Sequence, residues 1–420
     1  MEKWLEAPVG VFGAGVSGKA ASDFILSLGG KTVVYDEVNS DFHGRFTLRE
    51  ARRHKLIVVS PGFAANHKWL EAARRAGCEV MGELDLASLF WKGHVVAVTG
   101  TNGKSTLVEF VTHSLRYAGL EAHAVGNIGF PFTEHLKEEH HEEAWAVVEV
   151  SSFQAELMTY FRANTVVWSN FTEDHLDRYA DMHEYFRAKA RLLKVADAST
   201  VLVGKQVERA YRRYRNQLPR ETYVVDYPYL RVPKHSVFNL KPQRENFQLA
   251  YMLFKSWGYD PEMLHDSVRS FKQSPHRLAP VVQVNGIEFW NDSKATNFSS
   301  AEAALKNFHQ PIFWIGGGRR KGGQVDAFVH RIANRIKKAF VMGDTAEELK
   351  EQFEAMNVAC DLFHTMEEAI ISAYNHASPG SVVLFSPGFA SQKPFRNYSE
   401  RGECFERVAS ELKLNLQLTR

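Results

Sequence analysis

The stretch His94-Val-Val-Ala-Val-Thr-Gly-Thr-Asn-Gly-Lys-Ser-Thr106 decides how the rest of the chain is read. Residues 94–98 form a short apolar, mostly β-branched run, which reads as a buried strand. Gly100 and Gly103 then turn the chain, and a helical pattern follows to about Ala118. A glycine-rich turn between strand and helix lets backbone N–H groups converge on phosphate oxygens at the positive end of the helix. Lys104 would reach the terminal phosphates of a nucleotide, and the Ser105 hydroxyl would take Mg²⁺. The match to a standard phosphate loop is incomplete, because a glycine is wanted five residues before Gly103 and Val98 stands there. The bland reading, a turn of small polar residues, is outweighed by the strand before it and the helix after it.

Working outward, short apolar runs alternate with helical patterns from end to end, the signature of βαβ units and parallel sheets. In the first block, strands are expected at 9–12, 31–35 and 56–59, with helices at 17–28 and 66–76. In the second, strands at 144–148 and 164–169 follow the phosphate loop, and a helix at 246–257 closes the block. Residues 207–240 have weak periodicity and read as irregular. In the third, 286–290, 311–315, 339–342 and 382–385 read as strands and 398–412 as a helix. The expectation is an α/β protein of three domains, at 1–90, 91–277 and 278–420.

Composition narrows the function. Across 420 residues, 51 Lys and Arg stand against 49 Asp and Glu, so no strong field points to nucleic acid or an acidic membrane. Cys78, Cys360 and Cys404 are odd in number, far apart and without metal-ligand spacing, which implies a reducing compartment and no disulfide scaffold or cysteine zinc module. The amino terminus has no apolar signal region, and no run approaches about 18 apolar residues. A soluble, cytoplasmic protein is expected, with no nucleic-acid or membrane partner.

Further motifs stand at strand ends. Gly13-Ala-Gly15-Val-Ser17-Gly18 follows the first strand, and Asp36 ends the second; this is a dinucleotide fingerprint, with Asp36 on a ribose. A nucleotide-sugar diphosphate would fit as well as NAD, and plain strand-to-helix packing is the bland alternative. Glu149 follows strand 144–148 beside the phosphate loop, where an acid can hold Mg²⁺. Asn170-Phe-Thr-Glu-Asp-His-Leu-Asp-Arg-Tyr179 gathers acids, a histidine and an arginine in one loop, which could equally be a solvated charged turn. By composition alone, Lys189 reads as a surface lysine of a helix. Pro275-His-Arg277, Asn291-Asp-Ser-Lys-Ala-Thr-Asn297, residues 316–318 and Ser386-Pro-Gly388 lie near strand ends, and open α/β sheets bind ligands at the carboxyl ends.

In combination and in order, residues 100–106, 149–154, 174–179, 276–277, 291–297 and 386–391 resemble the Mur ligases. These are the ATP-dependent amide-forming enzymes of peptidoglycan precursor synthesis. Ser386-Pro-Gly-Phe-Ala-Ser391, with Asn397-Tyr-Ser-Glu-Arg-Gly-Glu-Cys-Phe405, is similar to the branch that adds D-glutamate to UDP-N-acetylmuramoyl-L-alanine. The resemblance implies a Rossmann-like UDP-binding first domain, a central phosphate-loop ATPase-like domain and a Rossmann-like C-terminal domain for the amino acid. It places Gly13, Gly15, Ser17, Gly18, Asp36 and Ser60 near the uridine diphosphate, and Asn127 and His175 facing the muramoyl-alanine. ATP would be held by Gly100, Thr101, Asn102, Gly103, Lys104, Ser105 and Thr106, together with Asn246, His276, Arg277, Asp292 and Lys294.

The resemblance further implies two Mg²⁺ ions, one on Ser105 and Glu149, the other on His175 and a carbamylated Lys189. Thr296, Lys321, Ser391 and Tyr398 would surround D-glutamate, and Lys104, His175 and Lys189 would carry the chemistry in a monomer. Where the family has a His-Asn pair before Asn246, this chain reads Lys241-Pro-Gln-Arg-Glu245. Three other readings stand beside this one. They are a sister ligase adding a different amino acid, a non-catalytic nucleotide-binding relative, and a nicotinamide dehydrogenase resting on residues 13–18 alone.

Overall fold

Val95, Val96, Ala97 and Val98 are buried on both faces, so the strand they build sits inside a sheet covered on each side, as the continuous apolar run requires. The computed structural model describes residues 2–226, 230–234 and 236–418, and among these the strands form three sheets. The first holds β1 (Val9–Phe12), β2 (Thr32–Tyr35), β3 (Leu56–Val59) and β4 (Glu79–Gly82), all parallel, in the order β2-β1-β3-β4.

The second sheet holds β5 (His94–Thr99), β6 (Ala122–Gly126), β7 (Trp145–Glu149), β8 (Thr165–Trp168), β9 (Thr200–Gly204) and β10 (Thr222–Val225). Its order is β10-β9-β8-β5-β7-β6, again all parallel. The third holds β11 (Ala279–Val284), β12 (Ile287–Asn291), β13 (Ile312–Gly316), β14 (Ile336–Met342), β15 (Cys360–Phe363) and β16 (Val382–Phe385). In the order β11-β12-β16-β13-β14-β15, only the β11–β12 hairpin is antiparallel. Asn285 and Gly286, both at positive φ, make its two-residue turn.

The expectation of an irregular stretch over 207–240 is corrected in part. A helix, Lys205–Arg213, and the edge strand β10 occupy it; residues 227–229 and 235 lie outside the described residues. The helix buries only Val207, Ala210 and Tyr211 among basic neighbours, and β10 buries only Val225, so neither leaves a strong apolar period.

The chain packs as two compact units that do not divide at a single point. The first comprises Met1–Phe171, His183–Ser236 and Glu245–Phe271 and contains the first two sheets. The second comprises Thr172–Met182, Val237–Arg244 and Lys272–Arg420 and contains the third. Among the described residues no helix is long and apolar enough to cross a membrane.

Two buried acids fasten the short helix Glu83–Ser88 within the first unit. Asp85 accepts from the backbone N–H groups of Gly82, Thr159 and Tyr160. Glu83 accepts from the Thr133 N–H at 2.6 Å and its hydroxyl at 2.8 Å. Burial pushes the Glu83 carboxyl up from 4.5 to about 7. A carboxyl raised on folding binds its proton more tightly in the folded state, so its contribution falls as pH climbs from 4.5 to about 7. Glu83→Gln keeps an acceptor for Thr133 and removes the charge. The variant is expected to lose less Tm than the parent over that window in a thermal melt, and an unchanged slope would show that Glu83 is ionised throughout.

Candidate active site

At the carboxyl end of β5 the chain turns into the helix Lys104–Tyr117, whose N-cap Gly103 is left-handed at φ +78°. A Cβ on Gly103 would meet Asn246 Nδ2 at 2.7 Å, and one on Gly100 would meet Ser169 Oγ at 2.1 Å. Both glycines are therefore set by close approach as well as by the turn. Asn246, on the helix Gln243–Ser256, donates from Nδ2 to the Gly103 carbonyl at 3.0 Å. Lys104 Nζ donates to the Thr101 carbonyl at 2.9 Å, and Ser105 and Thr106 are buried in the first helical turn.

Asn170 holds the other side of this loop. Its Oδ1 accepts from the N–H groups of Thr101 at 3.1 Å and Asn102 at 2.9 Å, and its Nδ2 donates to the Asn102 carbonyl at 2.8 Å. Residues 100–106 and Asn246 are thus one assembly. Asn170 was missed as a site residue because a lone Asn at the head of a charged loop gives no sequence signal. Asn170→Ala removes three hydrogen bonds from the loop, so affinity for a nucleoside triphosphate should fall by roughly tenfold or more if the loop is a phosphate cradle. Titration of ATP into parent and variant checks this.

Glu149 ends β7 and is paired in register with Val98 of β5. It is buried; Oε1 accepts from Asn127 Nδ2 at 2.9 Å, whereas Oε2 is buried with no hydrogen-bond partner among the described residues. A carboxylate oxygen shut from water without a donor is costly, and this one is suited to a hard dication. Lys189 overturns its compositional reading, being only 1% exposed. It lies on the buried face of the helix Met182–Val195 beside Tyr185 and Phe186, and Nζ donates to the Gly100 carbonyl at 2.8 Å and to Thr99 Oγ1 at 3.3 Å. Its ammonium therefore reaches the phosphate loop.

In the first sheet, a Cβ on Gly18 would stand 1.8 Å from the Gly13 carbonyl oxygen, and one on Gly13, at φ +94°, would stand 2.8 Å from Ser60 Oγ. Gly15 meets nothing within 4 Å, so packing does not require it. Asp36 accepts from the N–H groups of Ala14 at 2.7 Å and of Val38 and Asn39 at 2.9 Å, and these backbone bonds hold its carboxyl below the usual range. Asp36 thus fixes the turn itself. Ser60 Oγ is buried beside Gly13 without a hydrogen-bond partner among the described residues, and Ser17 lines a cleft with Pro61, Gln154 and Met158.

Within the second unit, Thr296 and Lys321 line one pocket with Asp174, Asn297 and Phe389, and Lys321 Nζ donates to Thr296 Oγ1 at 3.3 Å. Asn297 Nδ2 donates to Asp174 Oδ2 at 2.9 Å, and the N–H of His175, at φ +57°, donates to Asp174 Oδ1 at 2.9 Å. Asp292 accepts from the Leu278 N–H at 3.0 Å and Ser386 Oγ at 2.7 Å, and burial pushes its carboxyl up to about 7. His276 is buried, its Nδ1 2.8 Å from Asn291 Nδ2, while Arg277 follows it, half-buried.

Lys294 stands over the Tyr398 ring, 3.8 Å from its centroid, so a residue expected at ATP touches one expected at the amino acid. Ser391 is half-buried and does not line the pocket. Arg401, buried, ties these loops together by donating to the carbonyls of Ser293 at 2.8 Å and Phe389 at 3.2 Å and to Ser293 Oγ at 3.1 Å. Asp174, Asn297 and Arg401 are further positions that the sequence reading quoted without assigning.

The profile of the Mur ligase middle domain matches residues 98–252, and that of the Mur ligase glutamate ligase domain matches 276–389. The chain belongs to the Mur ligase family. It is 33% identical to the UDP-N-acetylmuramoylalanine--D-glutamate ligase of Aquifex aeolicus, over 95% of this chain and 97% of that one. The enzyme of the same name from Protochlamydia amoebophila is 29% identical over 95% and 96%. In fold, the chain resembles the MurF ligase of Thermotoga maritima solved in complex with ADP, with a TM-score of 0.58 at 16% identity, over 90% of this chain and 98% of that one.

Proposed function

We propose that this chain joins D-glutamate to UDP-N-acetylmuramoyl-L-alanine at the expense of ATP, releasing ADP and phosphate, in the synthesis of a peptidoglycan precursor. The observation that supports it most is the end-to-end similarity to D-glutamate ligases, read together with a phosphate loop braced by Asn170 and Asn246 beside the buried Glu149. In this reading residues 1–90 take the uridine diphosphate, 91–277 the ATP and 278–420 the amino acid.

The chemistry asks for these residue types. A carboxylate is a poor acyl donor; phosphorylated, it becomes an acyl phosphate that an amine can attack. Backbone N–H groups of residues 100–106 cradle the phosphates, and Lys104, released from the Thr101 carbonyl, offsets charge on the transferring group. Glu149, with Ser105, would hold Mg²⁺, which when bound neutralises phosphate charge. Asn127 orients the Glu149 carboxylate through the bond at Oε1 and leaves Oε2 for the metal. A carbamylated Lys189 is proposed as a ligand of a second ion. Lys321 and Thr296 are suited to an incoming carboxylate, a cation and a hydroxyl side by side.

The test is phosphate release with ATP, Mg²⁺ and UDP-N-acetylmuramoyl-L-alanine, with D-glutamate and other amino acids offered singly. Release that requires D-glutamate is expected. Release that requires another amino acid would make the chain a sister ligase, and none with any amino acid would make it a non-catalytic relative.

A further inference from the structure

A cluster of metal-ligating side chains stands apart from the phosphate loop, at the opposite end of the edge strand β6. Glu121 immediately precedes β6, His123 lies within it, and His140 comes from the connection that follows the helix Phe132–His135. Glu121 Oε1 is 2.8 Å from both His123 Nε2 and His140 Nδ1, and ligand atoms from the three residues lie within 4.8 Å of one another. The other Glu121 oxygen accepts from the His141 N–H at 3.1 Å. The two imidazoles are largely covered, at 18% and 10% side-chain exposure.

His140 carries the case further. Its Nε2 is 2.5 Å from the His135 carbonyl, which can only accept, so Nε2 bears the proton. Nδ1 of a neutral ring then presents its lone pair to the Glu121 carboxylate. Two acceptors at 2.8 Å must share a cation, either a proton or a metal ion. A ring N–H fixed on a backbone carbonyl, with the other nitrogen facing a carboxylate, is the usual support of a histidine ligand. His135, its Nε2 buried and without a hydrogen-bond partner among the described residues, packs 5.1 Å from the His123 ring and provides a further nitrogen beside the cluster.

We propose that Glu121, His123 and His140 bind a divalent transition metal of the zinc and nickel class, fastening the 136–141 segment to the edge of the second sheet. Two imidazoles and one carboxylate select such ions over Mg²⁺, which demands oxygen ligands. Donors on a tetrahedral zinc at about 2.0–2.1 Å sit roughly 3.4 Å apart, so a small outward shift from the present spacing admits the ion. Positions 121, 123 and 140 match no familiar ligand spacing, so the cluster is visible only once the chain is folded. β6 spans roughly 13 Å from its amino end to Gly126, so the ion would not touch the groups assigned to ATP. The proposal stands independently of the ligase reading.

The test is calorimetric titration of Zn²⁺ into the full chain, stripped by chelator and held in excess Mg²⁺. One equivalent is expected to bind and to raise Tm. His123→Gln and His140→Gln should each weaken it by about tenfold or more while leaving Tm in chelator unchanged. Trp91, whose ring lies 5.0 Å from His140 and 6.1 Å from His123, gives a reading on the unaltered site. Cu²⁺ should quench a fluorescence component that disappears in Trp91→Phe. Zinc affinity equal in parent and both histidine variants, loss of binding to Mg²⁺, or quenching unaffected by Trp91→Phe would overturn the proposal.

Discussion

Lys104→Ala is expected to lower ATP-dependent phosphate release by roughly a thousandfold or more while the protein stays folded. The loop from Gly100 to Ser105 offers backbone donors and hydroxyls but only one cationic side chain, and that side chain rests on the Thr101 carbonyl at 2.9 Å. Removing it deletes a charge without opening a core cavity, so the thermal transition should stay near that of the parent. UDP affinity should also hold, since Gly13, Asp36 and Ser60, the residues proposed for it, follow strands of a separate sheet. A folded variant keeping more than about a tenth of parent activity would refute the phosphate-loop assignment.

Lys189→Arg should be nearly as damaging, although it preserves the charge. Lys189 is buried against the phosphate loop, and an ammonium shut from water beside groups meant for cations and phosphates is a poor arrangement unless it is modified. A carbamate would turn the lysine into an oxygen ligand, a change arginine cannot undergo. Lys189→Glu supplies a shorter carboxylate and should retain more activity than the arginine variant. Comparing turnover of the two, with mass measurement of the intact parent for a 44-dalton adduct expected from carbamate chemistry (about one CO₂), decides the matter. An active arginine variant would remove the metal-bridging role.

What the sequence allowed one to see follows burial. Strands β3 and β16, buried throughout, and β5, buried beyond His94, read as plain apolar runs. Those left unread were mainly at sheet edges: β4, β6, β10, β11 and β15 each pair with one neighbour only, are partly exposed, and mix in residues such as Glu79, His123 and Asp361. At the site, the glycines and Lys104 announce themselves because a tight turn into a helix tolerates few alternatives. Asn170 and Arg401 do not, since their roles arise from hydrogen bonds to backbone groups far away in sequence. Lys189 shows the limit most clearly. Composition placed it in solvent; the helix face it shares with Tyr185 and Phe186 places it inside.

The interleaving of the two units has a consequence in time. Thr172–Met182 and Val237–Arg244 are synthesised before Lys272, where the main body of the second unit begins. At the usual rate of about 5–20 residues per second, the earlier segment waits several seconds for the sheet it will join. During that interval the ribosome displays Asp174 and His175 without Asn297, the residue that later donates to the Asp174 carboxylate. The mostly polar, charged character of residues 172–179, with only Leu176 and Tyr179 apolar, suits that wait, because a nascent segment with little apolar surface offers little for other chains to stick to. The run of charges that first read as a solvated loop is therefore useful twice, once in the finished pocket and earlier as a segment that stays soluble until its partner emerges.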